Sequence, residues 1–316
     1  MGTRRAGRVL LPLLILAAPP IDAQQRLPII DMHLHAPATI LRAPAGQPLP
    51  RFCSPEPCEH VPATAKTADD VLRLTLEAME RHNIVLGFVG DSLESVDKWV
   101  AAAPTRFIPS PVIADPTRAD LEALRKRYDA RTLHGMGELT NQYQGIAAND
   151  PIMDPVFALA AKFDVPVLVH SAGAGAPNAR FRIAQGHPEL LQDVLVRHPS
   201  LRLYLAHAGF PFLEETIALL YRYPNVHADL SAIAWIVPRQ TFHSYLRRLV
   251  DAGLAKRLMF GSDQMQWPEV IGLAIEGIES AEFLTPEQKR DIFYNNAARF
   301  LRLSKEEIAR HHGRSQ

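Results

Sequence analysis

The chain has 316 residues, 47% of them hydrophobic and 22% charged, with 34 basic and 34 acidic side chains and two cysteines. That is enough for one large domain or two small ones, and a mean hydropathy of −0.06 with this composition excludes a disordered chain and a polytopic membrane protein. The balanced charge gives no electrostatic basis for nucleic-acid binding, two cysteines cannot staple a disulfide scaffold, and the unusual counts are 13 histidines and 26 prolines.

Residues 1–23 have the layout of a secretory leader. Arg4, Arg5 and Arg8 precede an apolar run over 9–18, Pro19 and Pro20 follow, and Ile21-Asp22-Ala23 resembles a cleavage site before Gln24. The run is too short for a stop-transfer anchor. Cleavage and export are expected, leaving a periplasmic or secreted protein with no stable membrane association. An uncleaved anchor is the competing reading, and Arg4-Arg5 leaves a twin-arginine route open. The mature chain would carry 31 basic and 33 acidic residues.

From residue 28 onward, short apolar runs alternate with amphipathic stretches. Strands are predicted over 29–35, 84–90, 107–113, 133–139, 165–171, 201–208, 226–231 and 258–263. Helices are predicted over 68–81, 93–103, 118–128, 155–162, 189–197, 212–222, 241–254 and 268–280. Prolines such as Pro104, Pro166, Pro199 and Pro224 punctuate the joins. Eight β-then-α units predict an α/β chain folded as a (β/α)₈ TIM barrel, a single domain over 24–310. An open doubly wound sheet is the competing arrangement, and 286–303 is expected to add a helix or helix pair closing the barrel. The Pro-rich stretch 36–67 is the one long irregular insert, as expected of a lid or binding loop. Within it, Cys53 and Cys58 flank Ser-Pro-Glu-Pro. In an oxidising compartment they should form a local disulfide, contributing at most about 2 kcal/mol. A metal site made from them and His60 lacks a fourth ligand.

The chemistry falls at the strand ends. His33 and His35 lie two apart in Asp31-Met32-His33-Leu34-His35, so on a strand they point to the same side and can meet one ion. Strand four ends near Glu138, strand five at His170, strand six at His207 and strand eight at Asp263. In a barrel these carboxyl ends form one face, where active sites are built. Imidazoles and carboxylates from separate strands suit a divalent transition metal, most often zinc.

These motifs resemble the amidohydrolase superfamily of metal-dependent barrels, and within it the amidohydrolase-related branch containing aminocarboxymuconate-semialdehyde decarboxylase and several lactonases. The resemblance rests on residues 31–35, His170, Leu-Ala-His-Ala-Gly at 205–209, Phe-Gly-Ser-Asp at 260–263 and Asn-Asn-Ala-Ala-Arg-Phe-Leu at 295–301. It implies metal ligation by His33, His35, His170 and Asp263, with His207 either binding a second metal or acting as acid–base. Glu138 either bridges two ions or serves the ligands or the substrate from beside them, so the resemblance leaves one or two ions open.

It also implies a hydrolase that uses metal-activated water on a lactone, ester or amide of a small organic molecule. Asp263 would be ligand and proton acceptor, and His207 would orient or protonate the substrate. Non-hydrolytic decarboxylation is the alternative, and a metal-binding barrel without turnover is a third reading. Arg180 and Arg182, after strand five, are candidates for gripping a substrate carboxylate, and Asp229 and Ser231 at the end of strand seven are candidate substrate contacts. His82, His134, His198, His227, His311 and His312 are expected to lie away from the chemistry. His60, His187 and His243 are more often simply exposed. A homo-oligomer is left open.

Overall fold

The computed structural model describes residues 2, 27–40, 64–173, 175 and 179–313. The expected leader and Cys53, Cys58 and His60 lie outside the described residues, as does most of the insert. Its returning end is fastened where the Thr64 backbone N–H donates to the carboxylate of Glu269.

Among the described residues eight parallel strands run in chain order: β1 (Ile29–His35), β2 (Ile84–Asp91), β3 (Phe107–Pro111), β4 (Met136–Leu139), β5 (Val167–Val169), β6 (Leu203–Leu205), β7 (His227–Asp229) and β8 (Leu258–Met259). Ladders join β1 through β3 and β4 through β8. The two arcs meet through the parallel bridge between Ile113 and Leu139. They meet again where Met32 N donates to Phe260 O and Asp263 N donates to His33 O, at 2.9 and 2.8 Å. The sheet is therefore a closed barrel, and the doubly wound arrangement is excluded.

The helices are α1 (Ala68–His82), α2 (Leu93–Ala102), α3 (Leu121–Asp129), α4 (Asp154–Phe163), α5 (Leu191–Arg197), α6 (Leu213–Arg222), α7 (Ile233–Ile236), α8 (Arg239–Asp251), α9 (Val270–Glu279), α10 (Pro286–Arg290), α11 (Asn296–Leu301) and α12 (Lys305–His311). Local chemistry explains their limits. Thr67 and Asp70 form a reciprocal capping box at the start of α1, and Asn83 ends it in the left-handed region. Asp120 caps α3 by accepting from Ala123 N.

Alternation along the strands sorts the side chains. One set, including Val89, Val167, Leu203, Ala228 and Leu258, packs outward against the helices. The other set, Ile30, Met32, Phe88, Leu168, Tyr204 and Met259, fills the lumen with Tyr294, Ala297 and Phe300 from the closing segment. A π-helical stretch, Asp291–Asn295, joins α10 to α11, and within it Ile292 O accepts from Phe260 N at 2.8 Å. Asn296 Nδ2 donates to Leu258 O at 2.6 Å. The segment thus seals the amino-terminal end of the barrel and leaves the opposite end for chemistry.

The predicted strands run long. β5, β6 and β8 end before His170, His207 and Asp263, which sit beyond the ladder, whereas Glu138 and Asp229 lie within β4 and β7.

Candidate metal centre

The first strand aims its histidines by breaking its own alternation. The β1–β2 register shifts between Asp31 and Leu34. Ile30 and Met32 face the lumen below the shift, while Leu34 packs outward above it. His33 and His35 consequently point into the lumen mouth, a common use of a bulge beside a site. Asp31 Oδ1 accepts from His33 N at 3.0 Å and Ser262 N at 2.9 Å, holding the ends of β1 and β8 together. Gln264 adds a second clasp, accepting from His35 N at 3.0 Å and donating to His35 O at 2.6 Å.

Glu138 is turned in by Gly137. A Cβ there would lie 2.3 Å from Leu168 O, and its φ of +114° excludes side-chain-bearing residues at low cost. His207 and Asp263 occupy the left-handed region at φ 58° and 52°. Such backbone is costly outside glycine and concentrates at functional positions.

Six side chains meet at this mouth. The Nε2 atoms of His33 and His35 are 3.2 Å apart. Asp263 Oδ1 lies 3.0 Å from His35 Nε2 and 3.8 Å from His33 Nε2. Glu138 Oε2 is 3.7 Å from both of those nitrogens, and its Oε1 is 3.8 Å from His207 Nε2. His170 lies against His207, with ring centroids 5.0 Å apart. Three ligand-like groups result among the described residues: His33, His35 and Asp263 form one, Glu138, His170 and His207 another, and His33, His207 and Asp229 a third that joins them from behind.

The opposite ring nitrogens are engaged. His33 Nδ1 lies 3.1 Å from Asp229 Oδ2 and 2.9 Å from Ser231 Oγ. His207 Nδ1 lies 3.2 Å from Ser231 O and 3.0 Å from Ser231 Oγ. His170 Nδ1 donates to Gln142 Oε1 at 2.8 Å, and Gln142 Nε2 donates in turn to Ala172 O. In each ring an oxygen holds Nδ1, so the Nε2 lone pair faces the centre, as a metal ligand requires.

The electrostatics fit a cation. Burial opposes charge on His33, but Asp263, Glu138 and Asp229 outweigh it and hold the imidazole well above its usual value. Burial likewise opposes charge on His35, and contact with Asp263 reverses it. Burial would raise Glu138 and Asp263, yet the histidines hold both below the usual carboxylate range. His170 is governed by burial and pushed down to about 4, hence neutral and able to donate its lone pair. Burial pushes Asp31 up to about 7. Glu138 Oε1 is buried without a hydrogen-bond partner. Ionised carboxylates facing imidazoles that stay protonated only because of them, with oxygens of Glu138 and Asp263 left without hydrogen-bond partners, are the donor set that a divalent transition metal satisfies by displacing the imidazole protons.

Of the residues singled out in the sequence, His33, His35, Glu138, His170, His207 and Asp263 are brought together. Asp229 takes another place from the substrate contact expected of it: it is wholly buried and spends its oxygens on His33, the His207 backbone and Ser231. Arg180 and Arg182 are exposed. Arg180 donates to Gln144 Oε1, and Arg182 donates to Ala179 O and Phe181 O. His243 donates to Gly277 O, and His227 packs on Phe300 at the sealed end. Gln142, Tyr143 and Gln264 escaped the sequence reading, because a neutral side chain just past a strand end carries no signal of its own. Tyr143 stands edge-on to both His170 and Phe181, with centroids 5.0 and 5.1 Å apart.

The amidohydrolase family profile matches residues 30–303. The curated protein fluG of Emericella nidulans is 23% identical over 204 residues, 59% of this chain and 24% of that protein, so the chain spans about a quarter of its length. Among solved structures, an uncharacterised TIM-barrel protein from Bordetella bronchiseptica superposes with a TM-score of 0.61 at 18% identity, covering 87% of this chain and 99% of that one. An amidohydrolase from Burkholderia multivorans with bound zinc gives 0.57 at 19% identity, covering 88% and 100%. A 2,6-dihydroxybenzoate decarboxylase from Rhizobium gives 0.52 at 15%, covering 88% and 99%. At these identities the likenesses speak for the fold.

Proposed function

This chain belongs to the amidohydrolase family, and on that premise we propose that it is a metal-dependent hydrolase cleaving a lactone, ester or amide of a small organic molecule. One observation carries the reading: Glu138 stands between two ligand groups, one oxygen toward His33 and His35 and the other toward His207. His33, His35 and Asp263 would hold one divalent ion and His170 and His207 a second, with Glu138 shared. The nitrogen and oxygen donors suit zinc.

When bound, such ions make water nucleophilic near neutral pH and polarise a carbonyl. The chain's own groups do the rest. Asp263, held ionised, accepts a proton from the attacking water at its carboxylate and returns it to the leaving oxygen or nitrogen. Asp229, Ser231 and Gln142 keep the imidazoles from turning. Tyr143 and Phe181 wall the side next to His170 and suit a flat apolar group on the substrate. The leader-like layout of residues 1–23 supports work outside the cytoplasm.

Metal analysis of protein purified without chelator, paired with a panel of lactones, esters, amides and aromatic carboxylates, tests this. The expected result is about two equivalents of transition metal and hydrolysis of at least one panel member. Release of carbon dioxide from a carboxylate without any hydrolysis would move the protein to the decarboxylases. Full metal content with no turnover on any compound would favour a binding barrel.

A further inference from the structure

Histidines 33 and 207 come from β1 and from the turn after β6; one groups with His35 and Asp263, the other with Glu138 and His170, and both also lie within ligand distance of Asp229. Their rings lie side by side, with centroids 5.5 Å apart and planes 21° from parallel. Both Nδ1 edges face one side chain, Ser231, which is wholly buried just past β7.

The hydrogen-bond inventory of that hydroxyl is complete. A serine Oγ has one hydrogen to donate and two lone pairs. The hydrogen goes to Asp229 Oδ1, which also accepts from the backbone N–H of His207 and of Ser231. The lone pairs are left for His33 Nδ1 at 2.9 Å and His207 Nδ1 at 3.0 Å. Each nitrogen also faces a second oxygen, Asp229 Oδ2 at 3.1 Å and Ser231 O at 3.2 Å. Both Nδ1 atoms must therefore carry their hydrogens, and Ser231 Oγ takes the shorter contact of each pair.

We propose that Ser231 is a positioning residue common to both halves of the centre, its one hydroxyl orienting a ligand of each ion so that the two affinities are coupled through it. The inference rests on the two-ion reading above. Asp229 supports it by fixing the hydroxyl hydrogen and by accepting from the backbone N–H of His207 and of Ser231. Gln142 offers the contrast, because it holds His170 alone among the six.

The test is metal titration of chelator-stripped protein with zinc against a chromophoric competitor. Wild type should take up two equivalents, and one or none would overturn the two-ion reading itself. Ser231→Ala should weaken both equivalents together, by roughly tenfold each. That is the low end of the roughly 10- to 100-fold loss on removing a ligand's supporting partner, because each ring keeps its second acceptor. Ser231→Cys, close in size but a poor acceptor, should behave alike, which separates the lost hydrogen bond from a cavity effect. Gln142→Leu should weaken one equivalent only. If both Ser231 variants fold as judged by circular dichroism and bind two equivalents with wild-type affinity, or lose only one, the coupling is refuted.

Discussion

Asp263 and His207 combine left-handed backbone with a place in the ligand cluster, and their roles separate by substitution. Asp263→Asn keeps the shape and removes the proton acceptor. Turnover should fall by about 10² to 10⁴, the usual contribution of an acid–base group, while the circular dichroism spectrum is retained. His207→Asn tests the ligand role. With Nε2 facing Glu138 Oε1 at 3.8 Å, the two-ion proposal makes the ring a ligand of the second ion and expects metal content to fall toward one equivalent. Unchanged metal with collapsed turnover would instead make His207 an acid–base group at a single ion. Wild-type turnover in both variants, on a substrate the protein accepts, would place the active site elsewhere. At this scale the residues that cluster at the mouth were legible in the sequence, because histidine or an acid at the end of an apolar strand has no packing reason to be there. Their anchors were not, since Gln142 and Gln264 act only through partners distant in the chain, His170 and His35.

Each barrel strand has two ends with opposite duties, and β7 shows both. Its last residue, Asp229, anchors the centre, while its first, His227, packs at the sealed end against Phe300. Burial, helped by the positive charge of Arg257, pushes His227 down to about 4. The folded protein keeps this ring neutral where the unfolded chain, with an ordinary value of about 6.5, takes up a proton. His227 should therefore cost stability progressively as pH falls from about 6.5 to about 4. In urea unfolding at pH 7 and pH 4.5, His227→Gln should narrow the gap between the two midpoints, and an unchanged gap would refute the assignment. The insert after β1 carries a separate expectation. Cys53 and Cys58 should resist alkylation without reductant in exported protein, read by intact mass, and reduction should leave the barrel's thermal transition in place. Element positions were readable because strand and helix periods differ. Strand ends were not, since an apolar run continues to look like strand after the ladder has stopped.

The whole molecule concentrates buried charge at one mouth of a barrel whose other mouth is plugged by Tyr294, Ala297 and Phe300. Ions held there would bind the folded state alone and stabilise it by mass action. At free metal of a hundred times Kd each ion adds about 2.7 kcal/mol, which for a chain of this size is roughly 4 °C in Tm per ion. Adding a strong chelator should lower Tm by that order, and zinc should restore it. A Tm indifferent to both would argue that no ion is held at the mouth.

By itself the sequence determined the order of eight β-then-α units, the barrel they build, and the polar residues that each strand delivers to its carboxyl end. These follow from local periodicity and from the cost of placing charge in an apolar run. Tertiary structure decided what those residues face. The register shift in β1 turns His33 and His35 inward, and closure between β8 and β1 brings Asp263 to them. The same closure sends Asp229 to the back of His33 rather than to a substrate, while Arg180 and Arg182 stand exposed in the loop after β5. Distances between strands far apart in the chain are set by barrel closure and register, and no local pattern encodes them.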